Sequence, residues 1–346
     1  MNSLERVGLT LQFKEPDRVP VYPIVSGVSR KYVNATYKTW ATDADVCAEA
    51  LIKVTEDLDL DIICTLTDLS VEAADFGAKL IFPENEAAHS DYSDLFIKNP
   101  NEYAKVKQID PRKIERMSEH IKLCDRLVKE KGQEYPIVAF IFGPLGILSM
   151  LRGQDNLFID IMTNPDEVKN AVEIINNTLI DYCDALMETG VHAVMIDTLF
   201  ASQSIMSKEM WLEFEGQYVK ELAGHVHDND CMFMIHNCGL GVYFDAQIEM
   251  MEPEAISFLH LPDDINSPAE LKEKYGKKTT LIGHIDPPWI IQATEEEVRE
   301  EAVKQIEQYK DGGGFILATG CEYPANADLR NAEVMVEAVK EYGIYK

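Results

Sequence analysis

His236 and Cys238 in FMIHNCG, together with Cys321 in ATGCEYP, are the residues of this chain best suited to carry chemistry. One imidazole and two thiolates form a ligand set for Zn²⁺, with a fourth position open for water or substrate. Three protein ligands and one open site describe a working metal rather than a structural one. A histidine and a cysteine one residue apart at the end of a strand converge on one point only if the backbone bends there, and Gly239 permits the bend. Alone, an H-x-C pair is more often ordinary core, a satisfied histidine beside buried thiols. What decides between the readings is where the fold puts the three residues.

Short apolar runs at 19–24, 60–66, 137–142, 193–197, 232–236, 255–259, 280–284 and 315–319 read as strands. Their apolarity on both faces suits a parallel sheet covered on each side. Amphipathic helices are expected at 164–188, 208–227, 268–275, 295–310 and 332–342, the first with Pro165, Asp166 and Glu167 suited to its opening turn. Eight strands alternating with helices predict an α/β fold, a (β/α)8 TIM barrel. An open doubly wound sheet is the alternative, but no GxGxxG follows the first strand. The acidic stretch 74–131 reads as an insertion after the second strand, with FGAKLIF as a small hairpin or an extra strand, so 1–346 is expected to be one domain. Catalytic groups of such barrels lie at the C-terminal strand ends. Those ends carry Asp68, Asp197, His236 with Cys238, His260, His284 with Asp286, and Cys321. This clustering favours the metal reading.

Sixty acidic against 32 basic side chains leave a formal net charge of -28, which repels phosphate backbones and anionic membranes. No nucleic acid and no membrane are therefore expected as partners. Seven cysteines lack CxxC pairs or framework spacing, and no apolar run reaches the roughly 18–20 residues that span a bilayer. The opening residues read as a short amphipathic helix rather than a targeting segment, so a reducing, cytoplasmic location is expected. Cys47, Cys64, Cys124, Cys183 and Cys231 are expected to serve as small apolar residues, and Glu213 and Glu215 to be solvated. Met232, Met234, Met250 and Met251 read as flexible core packing in preference to a sulfur-rich cofactor lining.

Stretches spread over nearly the whole chain resemble the uroporphyrinogen decarboxylase superfamily: PDRVPVYP, LTDLSVEAADFGAKLIF, GPLGILSMLRG, IDTLFASQSIMSKEMWLEFEGQYVKEL, LIGHIDPPWIIQATEEEVREEA and FILATGCEYPANADLRNAEVMVEAV. Asp68 falls on the family's active-site aspartate, and His284 stands where the family usually has asparagine. True decarboxylases hold a polycarboxylate tetrapyrrole with arginines in an R-Q-A-G-R-Y motif. Here IVSGVSRKYV puts Val25 and Ser29 at those positions, with Arg30 close by. The branch of corrinoid-dependent methyltransferases is marked by H-x-C plus a distant zinc-binding cysteine, matched by His236, Cys238 and Cys321.

The resemblance implies a zinc-dependent methyltransferase of one-carbon metabolism. It would move a methyl group to or from the cobalamin of a corrinoid protein, with a zinc-activated thiol or a methylated small molecule as the other partner. No D-x-H-x-x-G motif is present, so methylcobalamin is expected on a separate protein docked at the barrel mouth. Asp197, His284 and Asp68 are then the candidate catalytic groups, and His260 and Asp286 the candidate cofactor contacts. Asp68 and Asp197 read equally as local caps, and His260 as a surface residue. A decarboxylase and a non-catalytic corrinoid-binding scaffold are the competing readings.

Overall fold

The computed structural model describes residues 1–345. Its strands are β1 (Val21–Tyr22), β2 (Ile63–Cys64), β3 (Leu80–Ile81), β4 (His89–Ser90), β5 (Ile137–Phe142), β6 (Ala193–Asp197), β7 (Met232–Asn237), β8 (Ala255–Phe258), β9 (Thr280–Ile285) and β10 (Phe315–Thr319). Eight of them form one parallel sheet in the order β1-β10-β9-β8-β7-β6-β5-β2, curled with helices outside as a (β/α)8 barrel. Asp61 bridges the seam between β1 and β2. Its N–H donates to Val21 O at 3.0 Å and its carboxylate accepts the Val21 N–H at 2.8 Å. β1 is shorter than the run 19–24 because Pro20 and Pro23 have no N–H for the ladder.

The helix expected at 164–188 spans Pro165–Met187, its proline at the first turn. The one expected at 208–227 is continuous but holds a π-helical turn, Leu212–Gly216, between Lys208–Trp211 and Gln217–Asp228. Within 74–131, FGAKLIF supplies one strand, β3, of an antiparallel hairpin whose partner β4 lies beyond it. The stretch also contains the helix Glu115–Lys131, which packs on β5 and on the helix Ala44–Leu58. Its buried stripe, Met117, His120, Cys124 and Leu127, has the spacing of a helix facing a core. It is therefore one of the barrel's own helices, and the insertion ends before it.

The core has two layers. One fills the barrel with residues such as Tyr22, Phe140, Met195, Met234 and Ile282, and the other lies between strands and helices. The N-terminal helix Ser3–Leu11 closes the barrel's N-terminal end by burying Val7 in the interior layer. A cavity of about 30 Å³, lined by Leu4, Val7, Leu11 and Met234 among others, is what remains there. Arg6 and Arg18 both reach Asp61 at 2.7 Å beside this plug. Met232 and Met234 pack in this region, as expected of gap-filling methionines. Among the described residues, no helix is long and apolar enough to cross a membrane.

Candidate metal centre

Side chains two residues apart on a strand share a face. Asp197, His236 and Ser257 each stand two residues beyond an interior apolar residue: Met195, Met234 and Ala255. They are also register partners, Asp197 with His236 and His236 with Ser257. These three therefore form a polar layer on top of the barrel's apolar filling, at the C-terminal end. His236 is buried, its ring 5.9 Å from Phe140, and its Nδ1 lies 2.9 Å from Ser257 Oγ, which leaves Nε2 available to a metal.

The bend after His236 is organised by Asn237. Its Nδ2 donates to Thr198 O at 2.6 Å, and its Oδ1 accepts the Gly239 N–H at 2.8 Å. Gly239 is needed for close approach rather than for a left-handed backbone, since a Cβ there would lie 2.4 Å from Ser202 Oγ. Cys321 follows Gly320, where a Cβ would sit 2.5 Å from Leu259 Cα. As a result the ligand atoms of His236, Cys238 and Cys321 lie within 4.8 Å of one another, the one such group among the described residues. A borderline nitrogen and two sulfurs at this spacing fit a zinc ion.

The two thiols share their protons unequally. The neighbouring Cys238 thiol and the His236 ring hold Cys321 well below the usual thiol range, against the raising effect of burial. The proximity of Cys321, with burial, drives Cys238 upward. Burial pushes His236 down, but the Cys321 hydrogen bond and the Asp197 charge outweigh it and raise it.

Buried and half-buried acids lie at this end of the barrel. Burial raises the Asp197 carboxyl to about 7, reinforced by Cys321 and opposed by His236. Glu215 is also buried and raised by burial to about 7, accepting the Leu145 N–H at 3.0 Å and the Trp211 indole N–H at 2.9 Å. It sits on the π-helical turn, not in solvent as expected. Its neighbour Glu213 is exposed and pairs with Lys169 at 2.5 Å, as expected. Glu322 accepts the Gly27 N–H at 2.8 Å and is raised by burial to about 7. Glu72 accepts the Phe142 N–H at 3.1 Å and is raised by burial to about 8. Ser257, Glu72 and Glu322 went unnoticed in the sequence, though Glu322 directly follows Cys321 and Ser257 continues the inward face of β8.

The other expected site residues fall elsewhere. Asp68 is buried, paired with Arg116 at 2.6 Å, and its other oxygen accepts the Ser70 N–H at 2.8 Å. The local cap and the buried acid are thus both present. By alternation His284 would face inward, yet its ring stacks on Phe258 at 5.0 Å and its Nε2 lies 3.2 Å from Tyr309 OH. Both partners belong to the outer layer, so His284 does not join the metal residues. Burial pushes it down to about 4. It lines a separate open groove of about 480 Å³ with His260, Asp286, Trp289 and Glu301. Asp286 caps the short helix Pro287–Ile290 by accepting the Trp289 N–H at 2.7 Å. Cys47, Cys64, Cys124 and Cys183 are buried and Cys231 partly so, all as free thiols.

Fold and site together define an α/β barrel enzyme family with its reactive groups at the C-terminal mouth. Residues 2–342 match the model of the uroporphyrinogen decarboxylase (URO-D) family, and the chain belongs to that family. Two kinds of relative stand out. A methylcobamide:CoM methyltransferase MtaA of Methanosarcina barkeri is 26% identical over 219 residues, 63% of this chain and 62% of the relative. The match thus spans under two thirds of that methyltransferase. A uroporphyrinogen decarboxylase of Actinobacillus succinogenes is 22% identical over 311 residues, 87% of this chain and 84% of the relative. A methyltransferase structure from Methanosarcina mazei superposes with a TM-score of 0.84 at 20% identity, covering 99% of each chain, and bears on the fold. The family thus holds both a methyltransferase and a decarboxylase among the relatives of this chain.

Proposed function

We propose that this protein is a zinc-dependent methyltransferase that moves a methyl group between the cobalamin of a separate corrinoid protein and a small molecule. The observation that carries this reading is the convergence of His236, Cys238 and Cys321 within 4.8 Å at the barrel mouth. These three would hold the zinc, whose charge, when bound, supplies Lewis acidity that keeps a coordinated thiol deprotonated at neutral pH. Ser257 orients the imidazole from its Nδ1 side. The apolar barrel interior beneath, with Phe140 against the His236 ring, keeps water from the floor of the site. The corrinoid protein would approach from the mouth, since the opposite end is plugged by the N-terminal helix. Binding of the methylated or thiol substrate at the open position then brings the two reacting partners into one orientation.

A polycarboxylate decarboxylase is less well supported. Arg30, the arginine nearest the positions of Val25 and Ser29, gives its guanidinium to Gly27 O at 3.0 Å, Ala325 O at 2.5 Å and Asn326 Oδ1 at 2.7 Å. It is a clamp on the loop after β10, spent before any substrate carboxylate arrives.

The test is metal analysis of anaerobically purified wild type beside Cys238→Ala and Cys321→Ala. One zinc per chain is expected in the wild type, lost in both folded variants, followed by zinc-dependent methyl transfer from methylcobalamin to a thiol. A wild-type protein that takes up no zinc after reconstitution would end this reading.

A further inference from the structure

The acids beside the triad include one with a vacant acceptor. Asp197 is 3% exposed, and its Oδ1 has no hydrogen-bond partner. A buried acceptor left unpaired is costly, and a ligand donor removes that cost. Asp197 is the register partner of His236, in the polar layer that holds the triad. Both oxygens of Glu215 are engaged, by Leu145 and Trp211, and Glu322 Oε1 is engaged by Gly27.

The buried cations are engaged as well. Arg6 and Arg18 sit at the plugged end with Asp61. On the segments that follow β1, β2 and β5, Arg30 is spent on Gly27, Ala325 and Asn326, Arg116 on Asp68 and Ala41 O, and Arg152 on Asp160 at 2.6 Å. Arg116 Nη1 carries no partner, but the cavity that Arg116 lines with Cys47, Thr67 and His120 is about 10 Å³, too small for a sulfonate or carboxylate. No lysine is buried among the described residues.

We propose that the small molecule served by the metal site is uncharged or cationic at the end that meets Asp197, and donates an N–H or O–H to Asp197 Oδ1. This inference rests on the metal reading above and narrows its substrate class. An anionic end would be desolvated beside the Asp197 acid with no buried cation free to pair with it, whereas an ammonium or hydroxyl group would satisfy the vacant acceptor.

Three thiols of equal reach and different charge test this: cysteamine, 2-mercaptoethanol and 2-mercaptoethanesulfonate. Each is titrated into cobalt(II)-substituted protein, and its Kd is read from the sulfur-to-cobalt absorption band. Cysteamine is expected to bind at least about tenfold more tightly than the sulfonate, with mercaptoethanol between them, because like charges placed together carry a cost of that order or more. In Asp197→Asn the ratio between cysteamine and sulfonate is expected to shrink to about threefold or less, with metal content retained. The wild-type order decides the matter by itself if that variant fails to fold. A sulfonate that binds as tightly as cysteamine, or a ratio unchanged in Asp197→Asn, overturns the inference and leaves the metal reading standing. Protein that takes up no cobalt or zinc, found by metal analysis of the same sample, overturns both.

Discussion

Ser257 touches His236 rather than any substrate, and its 2.9 Å contact with Nδ1 decides which ring nitrogen a metal meets. Removing such an orienting partner commonly lowers metal affinity roughly 10–100-fold. Ser257→Ala should therefore weaken zinc binding in a chelator competition by about tenfold while leaving the fold intact. Glu72 offers a second test at this scale. Its folded value of about 8 lies above the ordinary 4.5 of a glutamate, so between these limits the folded state binds more protons than the unfolded one. Its contribution is fully present at low pH and is lost as pH rises toward 8, at up to about 1.4 kcal/mol per pH unit. His120, buried and pushed down to about 4, acts oppositely between 4 and 6.5, where stability is lost as pH falls. Urea unfolding of the metal-free protein should show the stability advantage of wild type over Glu72→Gln shrinking from pH 5 to pH 8.5; a constant difference would contradict it. Of these residues, the metal ligands were legible because their types and strand-end positions coincide. Glu215 and Glu72 were not, because an acid on a helix looks solvated until its partners are known.

At the scale of elements, the site depends on two loops that approach their neighbours closely. Gly239→Ala would push a methyl group into Ser202, whose Oγ would be 2.4 Å away. A loss of about 1–3 kcal/mol is expected, with lower zinc affinity, and Ser202→Gly should restore part of both. Thermal melts and chelator titrations of the single and double variants check this. The strand and helix alternation could be read from the chain because apolar runs and amphipathic stretches are long and regular from 137 onward. It was harder to read earlier. β1 and β2 carry only two ladder residues each, and the acidic helix Glu115–Lys131 hides its buried stripe among charges. The outward turn of His284 was hidden for a different reason: alternation along β9 predicts the wrong face, and only its packing on Phe258 and Tyr309 reveals the right one.

At the scale of the whole molecule, Asp61 joins the seam of the barrel to the helix that plugs it. Its fully buried carboxylate receives Arg6, Arg18, the Val21 N–H and the Ser3 hydroxyl. Asp61→Ala would leave two guanidinium groups without their shared partner and should cost about 3–5 kcal/mol, measured by urea unfolding. A loss below 1 kcal/mol would show that the seam holds without it. The plug also governs traffic. With the far end filled, small molecule and carrier protein would, on the proposed reading, share a single doorway that the larger visitor covers. On the proposed reading this imposes a queue: the small molecule enters first, the carrier seals it in, and the product waits for the carrier to depart. Initial-rate kinetics should therefore follow a compulsory order, with excess carrier slowing turnover by blocking a doorway that the small molecule must still pass.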